Sequence, residues 1–334
     1  MVIPAWVITI LYLTVKPVLG TLGYSLDRFI TVFLGVFLQA VPFLAIGVLL
    51  SSVIQVYVQP EWLQRKFPKH PAAGQLFAIA AGFCLPVCDC ASIPVFKSLV
   101  KKGVPVSAAV TFILVSPVIN PVVILSTWYA FNGNPGMIAA RCGLGVLCAV
   151  LTWLTCQVFP PKEILLEESP GGGRETGLAG SRGDFDYPEE GREGTSRFSL
   201  LIRHGQNEFF SVGKYLLTGI FVSTLFQDLL PAMIRSGAGI PEAGSILLMM
   251  GMAFVLSLCS SSDAVVARTM AGAFPVVALV GFLVFGPMMD IKNMVMLLSG
   301  FRSKFVVRLL VTTFIICFAV ILVFSGLGSG GIRI

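Results

Sequence analysis

Nine stretches of this chain, near residues 2–19, 29–58, 72–87, 104–130, 136–159, 209–231, 243–258, 274–299 and 304–326, are apolar and almost free of charge. Most approach or exceed the ~20 residues that a helix needs to cross the ~30 Å hydrocarbon core of a bilayer. Of the 334 residues, 56% are hydrophobic and 12% charged, and the mean hydropathy is +0.89. Soluble domains carry roughly 25% charge, so this chain has too little polar surface to enclose its apolar residues in water. The sequence predicts an all-α integral membrane protein, with the lipid bilayer as its first partner. Stretch 2–19 has neither a basic segment ahead of it nor a clear small-residue cleavage site, which reads as a retained N-terminal transmembrane anchor over 1–28.

Nine stretches need not be nine crossings. Stretches 72–87 and 243–258 hold ~16 residues, or ~24 Å of helix at 1.5 Å per residue, and each runs into a polar, cysteine-containing break. Residues 160–207, with the run PGGGRETGLAGSRGD and mixed charges, have the composition of a flexible linker. The linker separates a first membrane repeat over 29–159 from a second over 208–334. Sliding the sequence by 170 residues superposes Ser92 on Ser262, Pro105 on Pro275, Phe112 on Phe282, Pro117 on Pro287, Asn120 on Asp290 and Phe131 on Phe301. A shift of 172 matches Gly47, Ser51 and Gln55 to Gly219, Ser223 and Gln227. Matched prolines and polar residues in an apolar chain point to internal duplication, a common basis of transporter architecture.

Charge orients the repeats. If 72–102 crossed the membrane, Arg65/Lys66/Lys69 and Lys97/Lys101/Lys102 would lie on opposite faces and leave no positive-inside bias. If the chain turns back between Pro86 and Cys90, both clusters share one face with Arg302/Lys304 and with the linker, which is then cytoplasmic. Each repeat has about three transmembrane helices plus a re-entrant broken-helix hairpin. That odd number of crossings makes the two repeats inverted relative to each other. Seventeen Lys/Arg and seven acids lie outside the segment from Pro160 to Glu208, and none of them forms a groove-reading basic helix or a base-stacking platform, so nucleic acid is not an expected partner.

The run FCLPVCDCASIPVFKSLVKKG, residues 83–103, concentrates candidate chemistry. Cys88, Asp89 and Cys90 sit at an inferred membrane midplane, and Ser92 and Pro94 resemble the start of a helix whose free amides and positive dipole end would face them. The spacing fits neither a tetrahedral zinc site, with histidine nearly absent, nor a C-x-x-C redox pair. The thiols could also simply pack a tight turn, and both readings stay open. The counterpart, SLCSSSDAVVARTM over 257–270, places Cys259, Ser260 and Asp263 where a short helix begins, with Arg268 as a possible partner for the acid. Ser116-Pro117-Val-Ile-Asn120-Pro121 and Gly286-Pro287-Met-Met-Asp290 set helix breakers beside a side-chain oxygen, and freed carbonyls there can hold a cation or a substrate.

The run CDCASIPVFKSLVKKGVPVSAAVTFILVSPVINP resembles the signature of the ArsP/YraQ-type predicted permeases, a C-x-C-[AS]-x-x-P break followed by a span ending in S-P-x-x-N-P, and LCSSSDAVVA resembles their second-half motif. The resemblance covers residues 29–326. It implies a permease of the prokaryotic inner membrane and export of a small, thiol-reactive substrate such as a trivalent organoarsenical. Carried onto this chain, it points to Cys88, Cys90, Ser92, Pro94, Ser116, Pro117, Asn120, Pro121, Cys259, Ser260, Asp263 and Asp290.

The leading expectation is a secondary transporter rather than an enzyme, with a small-molecule substrate between the two hairpins. Cys88, Cys90, Ser92, Pro94, Ser116, Asn120, Cys259, Ser260 and Asp290 are the candidate substrate contacts, and Asp263, Asp290 and Asp89 the candidates for proton or cation coupling. No phosphate-binding G-x-x-x-x-G-K-[ST] run occurs, so this chain does not hydrolyse ATP, and no cofactor or metal is expected. A membrane thiol oxidoreductase using Cys88 and Cys90, and a non-catalytic subunit of a transport complex, are the competing classes.

Overall fold

The computed structural model describes residues 26–57, 70–84, 89–160, 164, 197–227 and 241–326. Among them the ordered structure is helical, in twelve elements: α1 (Leu26–Tyr57), α2 (Pro71–Cys84), α3 (Asp89–Lys101), α4 (Val106–Ile119), α5 (Pro121–Ala130), α6 (Pro135–Val158), α7 (Arg197–Gln227), α8 (Glu242–Leu256), α9 (Asp263–Thr269), α10 (Val276–Met288), α11 (Ile291–Leu298) and α12 (Ser303–Gly326). Among the described residues five stretches are long and apolar enough to cross a membrane: Phe29–Val53, Val106–Ala130, Pro135–Val158, Val276–Leu298 and Ser303–Gly326. The anchor expected over 1–28 and most of the 160–207 linker lie outside the described residues. Helix α7 begins at Arg197, inside the stretch whose composition reads as linker.

The two series of six helices run in step. Over the described residues their lengths are 32 and 31, 14 and 15, 13 and 7, 14 and 13, 10 and 8, and 24 and 24 residues. Helices α2 and α8 are ~21 and ~22 Å long at 1.5 Å per residue, short of a ~30 Å core.

Two of the crossing stretches are cut in the middle. Asn120 leaves the helical region at ψ 135° because the residue before a proline is pushed out of it, and Pro121 then starts α5. The Asn120 side chain accepts the Val122 N–H at 2.9 Å, satisfying one of the amides that a helix start exposes. In the second series the chain extends at Met289 and Asp290, and Asp290 Oδ1 accepts the Asn293 N–H at 2.6 Å at the start of α11. The first break falls at the second of its two prolines, Pro121, and the second break falls beyond Pro287, at Met289 and Asp290. Pro117 and Pro287 stay inside α4 and α10, since a proline removes the bond to the carbonyl one turn behind it and leaves the turn ahead helical.

Helices α4 and α10 touch each other at the centre of the molecule. Their crossing stretches are 78% and 89% buried, against 39% for α6, 28% for α12 and 24% for α1. The outer helices present Leu34, Leu38, Leu154, Ile315 and Val323 outward, as lipid contact requires. Close approach is set by glycine at two matched positions. A Cβ on Gly47 of α1 would stand 2.5 Å from Ala91 Cα of α3, and one on Gly219 of α7 would stand 2.8 Å from Lys292 Cα of α11.

Candidate functional site

Helix α8 ends at Leu256, and Ser257 caps it in the left-handed region at φ 48°, a conformation rare outside glycine. The chain then runs without regular helix to Ser262 before α9 begins at Asp263. This break is buried: Ser257, Ser260 and Asp263 are all at most 2% exposed, and Cys259 is buried beside them. The Ser262 and Ser261 hydroxyls turn back onto the Cys259 carbonyl (2.9 Å) and sulfur (3.6 Å), which holds the segment in one shape.

The first half completes the second half's break. Arg141 of α6, 1% exposed, donates through Nη2 to the Ser260 carbonyl at 3.0 Å and through Nη1 to Thr127 Oγ1 of α5 at 2.9 Å. Ser126 of α5 donates to the Ser261 carbonyl, and Gln39 of α1 reaches Ser261 Oγ at 3.4 Å. Asp263, 2% exposed, lies in the same buried break, three residues after the Ser260 whose carbonyl accepts from Arg141. Arg268, the partner the sequence suggests, is partly exposed and lies five residues on, about 140° around α9 from Asp263. On its other side Asp263 faces α10, where a Cβ on Gly286 would stand 3.8 Å from Oδ2.

The break before α11 joins the same cluster. Lys292, 2% exposed, places its backbone N–H 3.1 Å from Ser257 Oγ and its Nζ 3.5 Å from both the Leu258 carbonyl and Asp290 Oδ2. Cys259, Ser260, Asp263 and Asp290 are thus gathered in one buried region. Asn120 heads α5, the helix that carries Ser126 and Thr127 to it, ~9 Å along the axis from Ser126.

The first half's break is described on one side only. Cys88 lies outside the described residues, and Asp89 and Cys90 are placed as the first two residues of α3. The helix is already formed at Asp89, ahead of the Ser92–Pro94 start expected from sequence, with Ser92 and Pro94 inside it. Pro94 leaves the Cys90 carbonyl without its helical bond. Ser92 is buried, and Ser51 of α1 binds α3 through Ser98 Oγ at 2.7 Å and the Pro94 carbonyl at 3.3 Å. Ser116 of α4 meets the end of α2, where a Cβ on Gly82 would be 3.2 Å from its backbone nitrogen. Helix α3 reaches the second half through α11, and Phe96 packs on Phe301 at 4.8 Å between centroids.

Sequence reasoning missed Arg141, Lys292, Ser126, Thr127 and Gln39. Arg141 and Lys292 carried a usable signal, each being an isolated cation within an apolar stretch. The other three are ordinary polar residues whose role appears only in the fold. Among the described residues no group of three or more His, Cys, Asp or Glu side chains could hold a metal.

The family model described as a predicted permease, ArsP_1, matches residues 25–326. The chain is 35% identical over 299 residues to UPF0718 protein YcgR of Bacillus subtilis, covering 89% of this chain and 96% of that one. It is 30% identical over 292 residues to a putative two-component membrane permease complex subunit of Streptococcus mutans, covering 87% and 93%. UPF0718 protein YraQ of Escherichia coli matches at 30% over 156 residues, 44% of this chain and 43% of that one. No solved structure matches it. With several crossing helices and a family match over most of its length, the chain belongs to the ArsP_1 predicted permeases and is a multi-pass membrane protein.

Proposed function

We propose that the chain is a secondary efflux permease of a prokaryotic plasma membrane that exports a small thiol-reactive solute of the trivalent organoarsenical class. The observation that carries this reading is the exchange between halves. The second half's break is completed by Arg141 and Ser126 of the first half, while α3 of the first half packs on α11 of the second. A site assembled from both halves is one that their relative movement can open and close.

In this reading the halves, 29–159 and 208–334, are inverted repeats joined by a cytoplasmic linker. The short α2 and α8 turn back with α3 and α9 as re-entrant hairpins. Their lengths and the matched helix order support this. Cys88 and Cys90 meet the soft solute, with Ser92, Pro94, Ser116, Asn120, Cys259, Ser260 and Asp290 around it, and Asp263, Asp290 or Asp89 exchanges protons.

The test is uptake of a trivalent methylarsenical into everted vesicles. Replacing Cys88 and Cys90 together by serine nearly preserves volume but removes the soft ligands, so export should vanish with expression unchanged. Export at the wild-type rate would return the pair to a packing role. A second reading, a permease that works only with a second subunit, is favoured by the printed name of the Streptococcus mutans relative. Export by proteoliposomes holding this chain alone would exclude it.

A further inference from the structure

We propose that Arg141 and Lys292 are built-in counter-cations of the second break, occupying the backbone carbonyls that a free coupling cation would otherwise take, so that the permease works without sodium or potassium as a co-substrate. This rests on the transport reading and specifies its ion coupling. Where a helix breaks inside a membrane, the carbonyls of the unwound segment have no helical partners, and in broken-helix transporters such carbonyls help coordinate sodium. Here the segment after α8 already has cations on it. The Leu258 carbonyl faces Lys292 Nζ at 3.5 Å, and the Ser260 carbonyl receives Arg141 Nη2 at 3.0 Å.

The two cations come from different halves, Arg141 from α6 and Lys292 from α11. Carboxylates share the break with them: Lys292 lies 3.5 Å from Asp290, and Asp263, 2% exposed, follows three residues after the Ser260 carbonyl that Arg141 holds. Two cations and two carboxylates leave the break neutral. A further metal cation would bring an uncompensated charge into a region shielded from water, where each unpaired charge is costly. The guanidinium stays charged at any working pH, so at Arg141 the tether is permanent. Proton exchange remains as the coupling step: protonating Asp263 or Asp290 leaves the break with a net positive charge, which disfavours a metal cation further, and exchange at Asp89 leaves its neutrality untouched.

The experiment is thermal unfolding of the full chain in lipid nanodiscs, read without any transported solute, so its result stands apart from whether arsenicals are exported. Wild type should unfold at the same temperature in sodium, potassium and choline chloride of equal ionic strength. Arg141→Ala should lose on the order of 10 °C and regain part of it in millimolar guanidinium chloride, measured against choline. Lys292→Ala with methylammonium gives the same reading if the first variant does not fold. Specific stabilisation of wild type by sodium or potassium would overturn the proposal, and so would a folded variant that no added cation stabilises.

Discussion

Asp290 uses its two oxygens differently, one accepting the Asn293 N–H at 2.6 Å and the other lying 3.5 Å from the Lys292 ammonium. Substitutions can separate these roles. Asn at 290 keeps an oxygen for the cap but leaves Lys292 buried without its countercharge, a loss of about 3–5 kcal/mol. Ala removes the cap as well, for about 1 kcal/mol more. Adding Lys292→Met to Asp290→Asn removes both charges and should recover most of the loss. Thermal unfolding in nanodiscs checks the order, and an Asn variant as stable as wild type would show that the ion pair contributes nothing. Asp290 was legible as an acid in an apolar stretch. Its pairing with Lys292 and the meeting of Arg141 with Ser260, 119 residues away in sequence, were not, because no local pattern encodes a contact between distant helices.

Helices α1 and α3 pack as closely as Gly47 allows. An alanine there would place its Cβ 2.5 Å from Ala91 Cα, a backbone atom that cannot swing aside, and should cost about 1–3 kcal/mol. Gly35, on the same helix with nothing within 4 Å of an added Cβ, provides the control. Alanine at 35 should be neutral or stabilise by up to ~1 kcal/mol through helix propensity. Equal melting temperatures for Gly47→Ala and Gly35→Ala would sink the close-packing account. At this scale the sequence was informative: the shortness of α2 and α8 followed from the length of their apolar stretches, and Gly47 and Gly219 surfaced as a matched pair. The exact breaks did not, because proline weakens the turn behind it while the capping oxygens of Asn120 and Asp290 decide where the next helix starts.

For the whole molecule, the inverted arrangement proposed above makes a prediction about sidedness. A cysteine placed at Lys101, after α3, should react with an impermeant thiol reagent from the cytoplasm, and one at Gly272, after α9, from outside. Labelling of both from the same face would exclude inversion. The matched prolines and polar residues, Pro105 with Pro275, Pro117 with Pro287 and Asn120 with Asp290, were what suggested a duplication in the sequence, whereas the interlock, with α5 and α6 serving the second half's break and α3 packing on the second half's α11, depends on how the halves dock. That interlock sets a schedule for biosynthesis. Arg141 emerges from the ribosome 119 residues before Ser260, an interval of roughly 6–24 s at 5–20 residues per second. Through that interval the nascent first half carries a guanidinium with Thr127 in place but its second acceptor, the Ser260 carbonyl, not yet made, so α6 is expected to settle at full depth only after synthesis has passed Ser260.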